Sequence, residues 1–101
     1  MGIRRSKNKK FKVDNDIKQT IEKCKLSLEK GGFKKIKFNE SLNQLSADYK
    51  KFTVFGEIEI ILVENNSGTE INLTSTANVD NIFALFSSPN NKIMNAFINN
   101  F

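Results

Sequence analysis

The sequence predicts one α+β domain in which a four-stranded antiparallel meander packs against an N-terminal and a C-terminal helix. Three observations carry that expectation. From Phe52 to Ala77 two alternating runs flank a polar turn. Between Asp16 and Lys30 apolar residues recur at helical spacing. From Ile93 to Phe101 they form a broad stripe.

The central hairpin comes first because its pattern is the clearest. Phe52, Val54, Ile58, Ile60 and Leu62 share one strand face, with Glu57 and Glu59 between them. Successive strand residues point to opposite faces, so this alternation buries one side and wets the other. Ile61 and Val63 carry apolar character onto the second face, which predicts partial cover there. Asn65, Asn66, Ser67 and Gly68 interrupt the run with residues that bond their own backbone or accept positive φ, as a turn requires. Ile71, Leu73, Ser75 and Ala77 then share one face, with Asn72, Thr74 and Thr76 on the other. Gly56 inside the first run predicts a bulge or bend.

The remaining elements follow in order. Residues 1–12, MGIRRSKNKKFK, contain Arg4, Arg5, Lys7, Lys9, Lys10 and Lys12 and no acid. Like charges repel and little here can be buried, so the segment reads as a disordered basic arm ahead of a domain spanning residues 13–101. Asp14 or Asp16 is a candidate N-cap. Ile17, Ile21, Cys24 and Leu28 mark the inner face of a helix that Gly31-Gly32 ends. Phe33 to Asn39 alternates as a strand with Ile36 and Phe38 inward, Glu40 to Asn43 turns, and Gln44 to Lys50 returns through Leu45, Ala47 and Tyr49. Val79, Ile82, Phe83 and Phe86 predict a short helix. Ser88-Pro89 starts a second one, with Ser as cap and Pro at the first helical position, carrying Ile93, Met94, Phe97, Ile98 and Phe101. The expected core is Ile17, Ile21, Leu28, Phe38, Ile58, Ile60, Leu62, Ile71, Leu73, Ile93 and Phe97.

Composition narrows the function classes. The chain has 101 residues, enough for one domain. Nine of its ten aromatics are Phe, which has no polar handle and reads as core filler rather than a recognition surface. The net charge of +5 is unevenly placed: residues 1–37 carry thirteen Lys/Arg against four Asp/Glu, residues 38–101 three against seven. Such asymmetry points to a basic tail or face. No run is long and apolar enough to cross a bilayer, and the basic start leads into a charged helix rather than a signal core, so the expected compartment is cytoplasmic.

There is no His, which removes imidazole acid–base work and histidine metal ligation. The one cysteine, Cys24, reads as a small buried hydrophobe on the inner helix face. Glu57 and Glu59 share a strand face and read as a solvated surface rather than a catalytic pair. Gly31-Gly32 follows a helix, so it is not a phosphate loop. No catalytic residue, metal site or cofactor is expected. The arm offers the one functional lead, a polyanion contact through Arg4, Arg5, Lys7, Lys9, Lys10 and Lys12 to anionic lipid or nucleic acid. Met1-Gly2-Ile3-Arg4-Arg5-Ser6 also fits an acylation pattern, and an acyl chain beside a polybasic stretch is a physically sensible pair of membrane signals.

The segments Gly31-Gly32-Phe33, Phe55-Gly56-Glu57-Ile58, Gly68-Thr69-Glu70-Ile71 and Asn90-Asn91-Lys92-Ile93 carry a resemblance to small, mostly uncharacterised bacterial domains of helix–four-strand–helix order. The resemblance spans about two-thirds of the chain. It implies a fold and no activity. The leading expectation is a non-enzymatic interaction domain with an unknown protein partner. A peripheral binder of anionic membrane or nucleic acid and a carrier of a small hydrophobic ligand are the alternatives.

Overall fold

The hairpin at the centre of the chain forms as its alternation predicts, but the sheet built on it is wider than the sequence indicates. A computed structural model describes residues 3–51, 54–79 and 89–101. The chain runs β1 (Ile3–Val13), α1 (Ile17–Lys30), β2 (Lys34–Asn39), β3 (Gln44–Lys51), β4 (Val54–Asn65), β5 (Gly68–Val79) and α2 (Pro89–Ile98). A 3-10 turn at Glu40–Leu42 links β2 to β3. The strands form one antiparallel sheet in the order β1-β5-β4-β3-β2.

This corrects the four-stranded sheet between an N-terminal and a C-terminal helix. The sheet has five strands, and α1 follows the first strand rather than opening the fold. The added strand comes from the segment read as a disordered arm. Eleven consecutive residues, Ile3 to Val13, pair in unbroken register with Val79 to Thr69. The backbone of β5 supplies the order that the charged side chains of β1 do not. Strands β2 to β5 are the meander expected from the short connections.

Because β1 and β2 occupy opposite edges, α1 must cross the whole sheet. Four inter-strand steps span about 19 Å at roughly 4.8 Å each. The 14 residues of α1 cover about 21 Å at roughly 1.5 Å each, so the helix length matches the crossing. Asp16 caps its start by accepting a 2.8 Å hydrogen bond from the Gln19 amide. At its end Gly32 takes φ 83°, Gly32 N donates to Glu29 O at 3.2 Å and Phe33 N donates to Leu28 O at 3.0 Å. That is a Schellman stop, and it delivers Phe33 into the core against the Tyr49 ring at 5.0 Å.

Both helices pack on one sheet face. The interior contains Cys24 and Leu28 of α1, Ile93, Met94 and Phe97 of α2, and Leu45, Ile58, Ile60, Leu62, Ile71 and Leu73 of the sheet. Ile17, Ile21 and Phe38, also expected inside, pack at its margin and remain half-buried. No described helix lies over the opposite face. Ile61 and Val63 lie there at 36% and 50% exposure, which corrects the partial cover expected for them.

Gly56 makes no bulge. It pairs in regular register with Tyr49 and Ala77. A Cβ at this position would meet the Thr76 carbonyl oxygen and sit 2.8 Å from Ile93 Cδ1. Glycine is required here chiefly because the β5 backbone at Thr76 and Ala77 approaches this position closely, with Ile93 of α2 crowding it further. Phe52, the short helix expected over residues 79–86 beyond Val79, and the Ser88 cap lie outside the described residues. Pro89 does open α2.

Candidate functional site

The six cations singled out in the sequence all fall on β1, and the sheet spreads them rather than gathering them. Register sets Arg4 opposite Asn78 and Arg5 opposite Ala77. Lys7 and Lys9 pair with Ser75 and Leu73, on the side that carries the helices. Lys10 and Lys12 pair with Asn72 and Glu70, on the open side. All four lysines are exposed. Lys7 Nζ donates to Asn91 Oδ1 on α2, and Lys12 Nζ donates to Ser67 Oγ in the hairpin loop. Lys9 and Lys10 have no partner among the described residues. The strand is therefore a ridge with a row of charge along each flank, roughly 37 Å long at about 3.4 Å per residue.

Polar neighbours hold this ridge on the open side. Asn8 Nδ2 donates to Asn72 Oδ1 at 2.7 Å and to Thr74 Oγ1 at 2.8 Å. Ser6 Oγ and Thr76 Oγ1 share a 3.1 Å hydrogen bond. These cross-strand pairs fix β1 to β5 without apolar contact. On the helix side Phe11 and Val13 pack against the core margin.

The candidate feature that the sequence does not display is the backbone edge of β1. One side of the strand pairs with β5, and no described strand pairs with the other. In an antiparallel ladder alternate residues direct N–H and C=O away from the paired neighbour, so the free side offers donors and acceptors in alternation. Read as an arm, the segment had no edge.

The other edge is different. Strand β2 has six residues, its register against β3 shifts between Lys34 and Lys37, and Lys35 sits at φ 51°. Between the two edges the open face carries three carboxylates together with Lys50, whose Nζ lies 5.7 Å over the Phe55 ring. Asp48 pairs directly with Glu57, and Glu59 follows two residues along the same face. Glu57 and Glu59 are both exposed, as a solvated surface would be. No group of three metal-ligating side chains occurs among the described residues.

Cys24 is fully buried, and burial pushes its thiol up to about 12, with the Lys23 charge acting in the opposite direction. A neutral, enclosed thiol is a packing group. The surface clefts are open depressions. One of about 410 Å³ lies between Tyr49, Lys51 and Val54 on the sheet and Lys92, Asn95, Ala96 and Asn99 on α2. No described helix is long and apolar enough to cross a membrane. Gly2, on which the acylation pattern rests, lies outside the described residues.

Among the described residues, five antiparallel strands with two helices on one face define an α+β sheet domain with one long basic edge that no described strand pairs. No protein-family model matches the chain, and no curated protein matches it.

Proposed function

We propose that the chain is a non-enzymatic binding domain whose interaction surface is strand β1, and that its partner is acidic. The observation that supports this reading is the placement of Lys9 and Lys10 on opposite flanks of an unpaired sheet edge, both exposed and without a described partner. Opposite charge in a partner gains Coulomb energy at both flanks, and salt weakens that gain.

Binding of a nucleic acid or anionic membrane across the broad open face has less support. Asp48, Glu57 and Glu59 occupy the middle of that face and repel phosphate. A polyanion contact is better supported at the basic rims than across the middle of this face, and β1 is the longer and more regular of the two rims. The hydrophobic-carrier reading is not adopted, since Ile58, Leu73, Ile93 and Phe97 fill the space between sheet and α2 with no exposure.

The experiment is salt-titrated binding of the intact chain to three anionic probes: polyglutamate, phosphatidylserine vesicles and a short DNA duplex. Deleting residues 1–12 would strip β5 of its neighbour, so charge reversal replaces truncation. The proposal expects at least one probe to bind at low salt and the Lys9→Glu/Lys10→Glu variant to lose that binding. Equal binding by the variant, or no binding to any probe, contradicts it.

A further inference from the structure

Resting on the reading of β1 as the binding surface, we infer that its partner is an extended acidic peptide that adds to the sheet as a sixth strand. Three features of the edge point to this occupant. The first is regularity. All eleven residues of β1 pair without a register shift, and the strand contains no proline. Short length and bulges are the usual means of spoiling an edge, and β2 uses both. Strand β1 uses neither, so its backbone can template a neighbour.

The second feature is selection by charge. Among the described residues the guard on β1 is its row of cations, and that guard is sign-dependent. A second copy pairing through β1 would bring lysine rows against lysine rows. Pairing β1 with β2 of another copy would set Lys7, Lys9, Lys10 and Lys12 beside Lys34, Lys35 and Lys37. Like charges opposite one another across strands are destabilising. The same side chains attract a strand rich in Glu or Asp. The edge thus rejects its own copies and accepts an acidic segment.

The third feature separates a peptide from a phosphodiester chain. A free strand edge offers N–H donors and C=O acceptors in alternation. Phosphate oxygens can take the donors but are repelled by the carbonyls between them. A peptide strand satisfies both and alternates its own side chains above and below the sheet, as Lys7 and Lys9 alternate with Lys10 and Lys12. From Lys7 to Lys12 the flanks read Lys, Asn, Lys, Lys, Phe, Lys. A segment Glu-Val-Glu-Glu-Val-Glu reproduces that pattern with opposite charge in either direction.

The test uses the intact chain and a synthetic peptide with this core flanked by threonines. A second peptide of identical charge is N-methylated at alternate residues, which removes donors to the edge. Vesicles of phosphatidylserine and a DNA duplex serve as comparison probes. Binding is read by titration, and edge pairing by amide hydrogen exchange of residues 3–13. The inference expects the plain peptide to bind, alternate β1 amides to gain protection, and N-methylation to weaken binding about tenfold or more. The Lys9→Glu/Lys10→Glu variant, checked for unchanged unfolding, should lose binding to a similar degree. Equal affinity for both peptides would overturn strand addition while leaving β1 as a charge-driven binding surface. Binding of vesicles or duplex alone, lost in the variant, would do the same. Failure of every probe would overturn both the inference and the reading beneath it.

Discussion

Phe11 of β1 and Phe101 meet edge to face, with ring centroids 5.9 Å apart and planes at 81°. Phe101 in turn lies 5.7 Å from the Phe97 ring and carries Lys23 Nζ at 4.8 Å over its face. This chain of contacts ties the basic strand to α2 and α1 on the helix side, the side that Lys7 and Lys9 also occupy. A double-mutant cycle of Phe11→Ala and Phe101→Ala, followed by urea unfolding, should give a coupling of about 0.5–1.5 kcal/mol. A coupling near zero would mean that the rings touch without holding β1 in place.

Phe97 is the largest of the fully buried side chains among the described residues. Phe97→Ala should cost roughly 3–5 kcal/mol, because the transfer energy of the ring and the cavity left behind add. A loss below about 1 kcal/mol would show that α2 does not close the interior.

At Gly56 the expected effect comes from crowding. Gly56→Val would drive a side chain into Ile93 and the Thr76 carbonyl, with a destabilisation of about 1–3 kcal/mol. Trimming the side-chain part of the obstruction in Gly56→Ala/Ile93→Ala separates the two causes. Relief should be partial, because the Thr76 carbonyl still meets the added Cβ; complete relief would mean that α2 packing alone demands the glycine.

For Cys24 the direction of the shift sets the pH dependence. Its folded value of about 12 lies above the ordinary 9.0, so the folded protein keeps the proton while the unfolded chain loses it. This contribution to stability is intact below pH 9.0 and is lost as pH rises from there toward about 12. Comparing urea midpoints at neutral pH and near the upper end of that window should show a steeper fall for the native chain than for Cys24→Ala. Identical slopes would mean that the thiol is not enclosed. In the folded state Cys24 should also react slowly with thiol reagents.

Much of this fold is legible in the residues because burial imposes a period. Ile58, Ile60 and Leu62 alternate since one face of β4 meets the helices and the other meets water. Cys24 and Leu28 recur at helical spacing for the same reason. Gly31-Gly32 is readable because a Schellman stop needs a left-handed residue. Strand β1 escapes because it lies at the rim. Its helix-side positions include Lys7 and Lys9, where a central strand would have apolar residues, so its alternation carries no hydrophobic signal. Only Phe11 and Val13, two apart around Lys12, mark the segment as a strand.

The site was half legible for a related reason. The sequence displays the cations but not the unpaired backbone beside them, since an edge exists only once β5 is in place. Ser27 likewise shows no sign of burial until its partner arrives, and for Ser75 the alternation gives the inward face but not the partner. Ser27 Oγ donates to Asn100 O at 2.9 Å, and Ser75 Oγ bonds Asn90 Oδ1 at 2.9 Å. Both hydroxyls join the sheet and α1 to α2 and its end through hydrogen bonds between residues distant in the chain.

The most direct measurement is residue-resolved amide hydrogen exchange over Ile3–Val13 in the free, intact chain. An ordered edge strand predicts alternating behaviour, with amides directed at β5 protected and those on the free side exchanging rapidly. Uniformly fast exchange along the segment would return residues 3–12 to a disordered arm and remove the edge on which the proposed binding depends.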